Sequence, residues 1–424
     1  MLILDKTNLI PYLIERMPET DFSHIESIIE IGDGSQSAEE DGDGYVNFIF
    51  IVKTPDTSLV IKQSREASRM SGGQMTLTRN HLEYDAMKLF YTIAPDYVPK
   101  VYFIDDENKV FVMEDASESG RKISRFQLNQ NRIFPKLGEQ CGIYLADTEF
   151  YTSEYYLSTD DFRRLTCRFM NEEMRPIMEN GLFLTKFDTD YEPALGDEFY
   201  QFAKSISEDP KYLAERHKLR HYYMTHAECL IHADLHTSNL FTSEDSMKVI
   251  DMEFTFCGPF SYDVGYLYGN LLSQYTAACY RDFSSEKERL EFKAYILSTI
   301  VDLYHSYTTR FISNWNQDAK EIYRNVPGLQ EEFKKNVLLD ASGYASIVNW
   351  FRVAGNIAYP DFDMITDLNK KRDAMALSLL IDWQIMFHRY EYTDIQDLID
   401  DVLFVERNYS SDNWKEHASS CSKK

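Results

Sequence analysis

The sequence predicts an α+β chain of two lobes, a small β-rich one over residues 1–115 and a larger, mainly helical one over 116–424. Three observations carry this. At 424 residues the chain exceeds the size at which a single hydrophobic core is usual. Short apolar runs bounded by turn residues dominate up to Met113, and helical spacing dominates after it. Apolar residues make up 44% of the chain, enough to fill two cores and too many for a disordered polymer.

In the first lobe, Tyr45–Lys53 (YVNFIFIVK) and Ser58–Gln63 (SLVIKQ) flank the Pro-Asp turn TPDT, which predicts a hairpin. Lys100–Ile104 and Lys109–Met113 flank DDEN and predict a second. Between them Leu82, Ala86, Leu89, Phe90 and Ile93 recur at helical spacing, and Pro95 limits that helix. In the second lobe the aromatic-rich segments 195–227, 264–310 and 372–390 have the irregular helical periodicity of buried helices. A small β element is expected near 238–251.

The bulk properties exclude several classes. A formal net charge of −25 without a Lys/Arg block argues against nucleic acid, whose phosphates need a basic surface. Six scattered cysteines without a CxxC pair predict reduced thiols, neither a zinc site nor a disulfide framework. The N-terminal MLILDKTNLIPYLIERMPETD lacks the basic and apolar regions of a signal peptide, and no run reaches the ~18 apolar residues of a membrane span. The expectation is a cytoplasmic protein without membrane partners.

The chemistry concentrates in LIHADLHTSNL (Leu230–Leu240) and in VIDMEF, where Asp251 and Glu253 follow the strand-like Met247–Ile250. A carboxylate such as Asp234, on a loop between buried segments, can accept the proton of a hydroxyl attacking phosphorus. Asn239, five residues on, can coordinate a metal through its amide oxygen. Alternation in extended chain would aim Asp251 and Glu253 to one side, where two acids repel unless a cation such as Mg²⁺ lies between them. Singly, each has a plainer explanation: an Asp after a strand is commonly a turn or cap residue, and His232 and His236 suit satisfied, half-buried histidines. The order H-x-D-x-x-x-x-N, hairpin, I-D-x-E is what favours base, metal ligand and second metal ligand around one γ-phosphate.

The first lobe supplies the other half. Lys62 closes the apolar strand SLVIK as a phosphate-binding lysine would, and Glu83 on the following helix is placed to pair with it. Gly42 and Gly44 of DGDGYVNFIF can bring backbone N–H groups close to phosphate, although DGDG is also ordinary turn chemistry. Asn47 follows in the same segment as a candidate nucleotide contact. VMEDA (Val112–Ala116) is expected to link the lobes and offer adenine backbone groups at Met113, Glu114 and Ala116.

Taken together, these segments resemble the 5-methylthioribose kinases, within the aminoglycoside phosphotransferase and choline kinase superfamily of protein-kinase-like fold. HADLHTSN is similar to that family's H-G-D-L-H-T, and VIDMEFTFCGPFSYDVG to its V-I-D-P-E-F-A-F-Y-G-P-x-x-x-D-x-G, where an ordinary protein kinase has D-F-G. The resemblance runs from about Glu30 to about residue 380. It implies a bilobal kinase-like fold with Asp234 as general base, Asp251 and Glu253 binding Mg²⁺ on ATP, Lys62 on the phosphates and Met113–Ala116 as the nucleotide hinge. The implied reaction is ATP-dependent phosphorylation of a sugar's anomeric hydroxyl, in methionine salvage, by a homodimer.

Three departures qualify the acceptor pocket. In WFRVAGNIA, Arg352 keeps one arginine of the family's I-R-R-x-x-G-x-A-H pair, but Phe351 replaces the other and Ala358 stands at the histidine. A lost planar donor changes what can be held there. Asn239 stands where methylthioribose kinases carry serine and restores the wider superfamily's metal-binding asparagine. An acidic insert, SQSAEEDG, precedes the glycines. Arg352 is the candidate acceptor contact, or else a helix-packing arginine. Another 5-deoxypentose, an aminoglycoside drawn by the acidic charge, and a nucleotide-binding pseudokinase are the alternatives; the complete set of Lys62, Asp234, Asn239, Asp251 and Glu253 weighs against the last.

Overall fold

The computed structural model describes residues 1–32, 47–65, 77–184, 195–354, 361–412 and 414. Gly42, Gly44, the acidic insert and Ala358 lie outside them. The chain is mixed α and β and forms two compact units, Met1–Phe126 with Ser238–Thr255, and Gln127–Thr237 with Phe256–Lys424.

The first unit is built on an antiparallel sheet of β1 (Ser27–Glu30), β2 (Phe48–Lys53), β3 (Ser58–Gln63), β4 (Val101–Asp105) and β5 (Val110–Glu114), in the order β1-β2-β3-β5-β4. Both expected hairpins are present. The β2–β3 turn closes on Thr54, whose N–H donates to the Thr57 carbonyl at 2.9 Å. Every residue of β3 is buried, which explains why SLVIKQ does not alternate in polarity. Leu59 and Ile61 join the core formed by Phe50, Val52, Val110 and Val112 and by Leu9, Tyr12 and Leu13 of helix α1 (Leu9–Arg16). Side chains alternate across a strand, so Lys62 turns away from that core. Helix α2 (Arg79–Ile93) follows, and its last turn closes on Ala94, whose N–H donates to Phe90 O just ahead of Pro95.

A second sheet in this unit pairs β6 (Lys122–Ile123) with β8 (Leu240–Thr242) and β9 (Met247–Val249), while β7 (Cys229–Ile231) and β10 (Phe256–Gly258) pair in the other unit. Specific bonds explain why residues 238–255 group with the first unit rather than with the helices around them in sequence. Lys248 Nζ donates to the carbonyls of Pro95 and Val98 at 3.0 and 2.9 Å, and Val249 N–H donates to Tyr97 O at 2.7 Å. The sequence division at 115/116 and this grouping thus differ over residues 116–126 and 238–255.

The second unit is mainly helical. Its longer helices include α3 (Leu137–Tyr151), α4 (Pro210–Thr225), α5 (Ser261–Tyr280), α6 (Glu286–Asp318), α7 (Leu329–Ala354) and α8 (Leu368–His388). Helix α5 is buried continuously from Ser261 to Ala278, so its sequence lacks an amphipathic stripe. Gly265 and Gly269 let α7 come close: a Cβ on them would lie 2.5 Å from Ala341 O and 2.8 Å from Ala345 O. Gly265→Ala must push two backbones apart, and a loss of about 1–3 kcal/mol is expected in denaturant unfolding of the variant. Unchanged stability would mean that the helices are not held this closely. Among the described residues no helix is long and apolar enough to cross a membrane, and the described cysteines are free thiols.

Candidate functional site

In the first unit the structure gathers Lys62, Glu83, Asp251, Glu253 and Asn47. Strand β3 delivers Lys62 and the first turns of α2 deliver Glu83, so Nζ meets Glu83 Oε1 at 2.7 Å and Asp251 Oδ1 at 2.5 Å. Asn47 Nδ2 donates to Glu253 Oε2 at 3.2 Å, while its own carbonyl oxygen accepts from Arg79 Nη2 at 2.8 Å and Ser64 Oγ at 3.1 Å. Arg79 Nε lies 3.5 Å from Glu253. Lys62, Glu83, Glu253 and Arg79 are all at least 97% buried; Asp251 keeps a third of its side chain exposed. Simple alternation does not set the geometry of the two acids. The backbone turns left-handed at Asp251 (φ +67°), a costly conformation for a residue with a Cβ, and both carboxylates still reach the cluster.

Among the described residues, three carboxylates here outnumber the two cations. Burial opposes charge on Lys62, but Asp251 and Glu83 outweigh it and raise its pKa, so it stays protonated. Burial and then the Asp251 charge raise Glu253, against the pull of Lys62 and Arg79. Glu83, Asp251 and Glu253 each bring a carboxylate oxygen within 4.8 Å of the others. Such a donor set, all oxygen and in excess of the local positive charge, fits a hard divalent cation. Asn239 is buried beside β8, and its carbonyl accepts the Ile250 N–H at 3.0 Å, which ties it to the strand that ends before Asp251.

The expected hinge is the end of β5. Met113 is buried and pairs with Val60. Glu114 holds the Lys100 N–H on its carboxylate at 3.1 Å, and the Ala116 carbonyl accepts from Arg121 Nε at 2.7 Å.

In the second unit β7 runs into His232, Ala233 and Asp234. The buried Asp263 carboxylate, in the first turn of α5, accepts the N–H groups of His232 at 2.6 Å and Ala233 at 3.0 Å. This pins Ala233 in a left-handed conformation (φ +68°), at the position where the resembling motif has glycine. Burial pushes the Asp263 pKa up to about 7 against those two donors. Asp234 Oδ1 accepts from Tyr266 Oη at 2.8 Å, Tyr266 Oη accepts from Arg352 Nη2 at 2.9 Å, and Arg352 itself stands 3.9 Å from Asp234. His236 Nε2 is 3.5 Å from Oδ2. Burial would raise the Asp234 pKa, yet His236, Arg352 and Tyr266 prevail and hold it below the usual carboxylate range. His232 is a satisfied buried histidine, its Nδ1 taking the Asp234 N–H at 3.3 Å.

Sequence reasoning did not single out Arg79, Asp263, Tyr266 or Asn270. The last three sit at i, i+3 and i+7, one face of α5, where Asn270 accepts the Thr237 N–H at 3.3 Å. The D-x-G of FSYDVG is the one local signal that marks Asp263. The other residues carry none.

A strand lysine paired with a helix glutamate, acids clustered at the end of a short hairpin, and an ionised aspartate on a pinned loop are the equipment of a phosphotransferase. The chain belongs to the phosphotransferase enzyme family, whose model matches residues 42–293. Within it the similarity is to methylthioribose kinases. That of Geobacillus thermodenitrificans (strain NG80-2) is 30% identical over 371 residues, 87% of this chain and 90% of the relative. Methylthioribose kinase 2 of Oryza sativa subsp. japonica is 29% identical over 391 residues, again 87% and 90%. Among solved structures, choline kinase from Cryptosporidium parvum Iowa II aligns over 90% of this chain and 98% of that one, at 14% identity and a TM-score of 0.46.

Proposed function

We propose that the chain is an ATP-dependent sugar kinase that phosphorylates the anomeric hydroxyl of 5-methylthioribose or a close analogue, a step of methionine salvage. The observation that carries phosphoryl transfer is the buried Lys62–Glu83 pair beside Asp251 and Glu253. The acceptor follows from relatives called methylthioribose kinases that match along nearly their whole length. Lys62 holds ATP phosphates, kept straight by Glu83, with Asn47 bracing Glu253 and Met113–Ala116 beside the adenine. Asp251, Glu253 and Asn239 would hold Mg²⁺. When bound, the ion neutralises phosphate charge that would otherwise repel the incoming oxygen. Asp234 takes the acceptor's proton as its hydroxyl oxygen forms the new bond to the γ-phosphorus and the bond from that phosphorus to the departing ADP oxygen breaks, and Arg352 serves the acceptor. Free thiols suit a cytoplasmic enzyme, and the family resemblance supports a homodimer.

A coupled ADP-release assay with Mg·ATP tests this against methylthioribose, 5-deoxyribose, ribose, choline and kanamycin. Turnover with methylthioribose at least 100-fold above the others is expected. Preference for another acceptor would leave phosphoryl transfer standing and put the divergence at Phe351 and Ala358. ATP binding without turnover on any of them would overturn the sugar-kinase assignment.

A further inference from the structure

Resting on the assignment of Asp234 as the base, we propose that Tyr266 is a positioning residue for that base: its phenol clamps one carboxylate oxygen and carries the influence of Arg352 to it. The direction of each bond is fixed by chemistry. A guanidinium only donates and an ionised carboxylate only accepts, so the single phenolic proton lies between Tyr266 Oη and Asp234 Oδ1 while Arg352 occupies the acceptor side of the same oxygen. Arg352 stands 3.9 Å from Asp234, too far for a direct hydrogen bond, whereas both links through the phenol are under 3 Å.

The clamp is rigid at both ends. Tyr266 is fully buried on the continuously buried helix α5, with its ring 5.8 Å from that of Tyr262. Arg352 is on α7, which Gly265, the neighbour of Tyr266, holds close. Asp263, one turn back on α5, grips the backbone of the same loop. One helix therefore sets both the path of the loop and the orientation of its carboxylate. Oδ1 is committed to the phenol, and His236 Nε2 stands 3.5 Å from Oδ2. Among the described residues, the charged and titratable groups facing Asp234 are His232 and His236 from its own loop, Arg352 from α7, and Tyr262, Asp263 and Tyr266 from α5.

Tyr266→Phe keeps the ring and removes only the oxygen. On whichever acceptor the wild-type enzyme turns over, kcat is expected to fall roughly 10- to 100-fold, the effect of one hydrogen bond to a charged group, with KM for ATP unchanged. Arg352→Gln removes the acceptor contact too, which should appear in KM for the acceptor; its effect on kcat should be a similar factor and little more when added to Tyr266→Phe, because its action on Asp234 passes through the phenol. A kcat for Tyr266→Phe within about 3-fold of wild type, or two losses that simply multiply, would overturn the proposal. A second readout needs no acceptor: the carboxyl ¹³C resonance of Asp234, assigned by its absence in Asp234→Asn. In Tyr266→Phe its titration should move to higher pH, and an unmoved titration would overturn the clamp. If the wild-type enzyme phosphorylates none of the sugars, the sugar-kinase assignment fails by itself and this resonance still decides the role of Tyr266.

Discussion

Asp234→Asn is expected to lower kcat by about 10²- to 10⁴-fold while leaving ATP affinity close to wild type. Asparagine keeps the shape of the side chain and an oxygen for the Tyr266 phenol, so the pinned loop from His232 to Asp234 should survive; what disappears is a group able to take a proton. The residues assigned to ATP and Mg²⁺, by contrast, belong to the first unit and are untouched. Asp234 is a weak base, since His236, Arg352 and Tyr266 hold its pKa down against burial. That suits phosphoryl transfer, in which a loose transition state asks the protein chiefly to position the hydroxyl, and the proton moves late. The group is ionised across the neutral range, so its protonation should impose no loss of kcat between pH 6 and 8. Steady-state kinetics with ATP titration by calorimetry measures both parts. Turnover of Asp234→Asn within 3-fold of wild type would remove Asp234 from the role of base.

Much of this was legible in the chain because it is local. Pro55-Asp56 and Asp105–Asn108 mark turns between apolar runs, and Pro95 stops a helix, so both hairpins and α2 follow from neighbouring residues. Lys62 and Glu83 were legible for a similar reason: a lysine within a buried strand and a glutamate one element later have few ways to be satisfied except by each other. Helix α1 and strand β1 were not. The first is eight residues with Pro11 near its start, and the second is four residues of intermediate exposure that gain their place only by pairing with β2. The parts of the candidate site that escaped are those whose meaning is a distant partner. Arg79 has no local mark and acquires its role from Asn47 and Glu253, 32 and 174 positions away. Tyr266 reads as one more aromatic in a buried helix until Asp234 and Arg352 meet its hydroxyl. Conversely, alternation correctly paired Asp251 with Glu253 for a reason that does not hold, since the backbone turns left-handed at Asp251.

Lys62→Met should be the most damaging single change in the first unit, because it acts on activity and stability by separable routes. Methionine fills the stem's volume but leaves Glu83, Asp251 and Glu253 with Arg79 as the one remaining cation in contact among the described residues. Breaking a buried pair by removing one partner typically costs about 3–5 kcal/mol, since the other charge stays desolvated. The carboxylates answer by binding protons: their folded-state pKa values, already raised for Glu83 and Glu253, rise further. The sign for stability follows. A carboxylate whose folded pKa lies above its unfolded value favours the fold below the unfolded pKa and loses that contribution as pH rises through the folded one. The deficit of Lys62→Met relative to wild type should therefore be larger at pH 8 than at pH 5, as chemical denaturation at the two values would measure. Activity should fall at least 100-fold at both, because no acid can replace a cation on the ATP phosphates. Adding Glu83→Gln removes one of the stranded charges and should restore part of the stability with none of the turnover. If the double variant recovered activity, Lys62 would be a structural cation and the phosphate contact would have to be sought elsewhere.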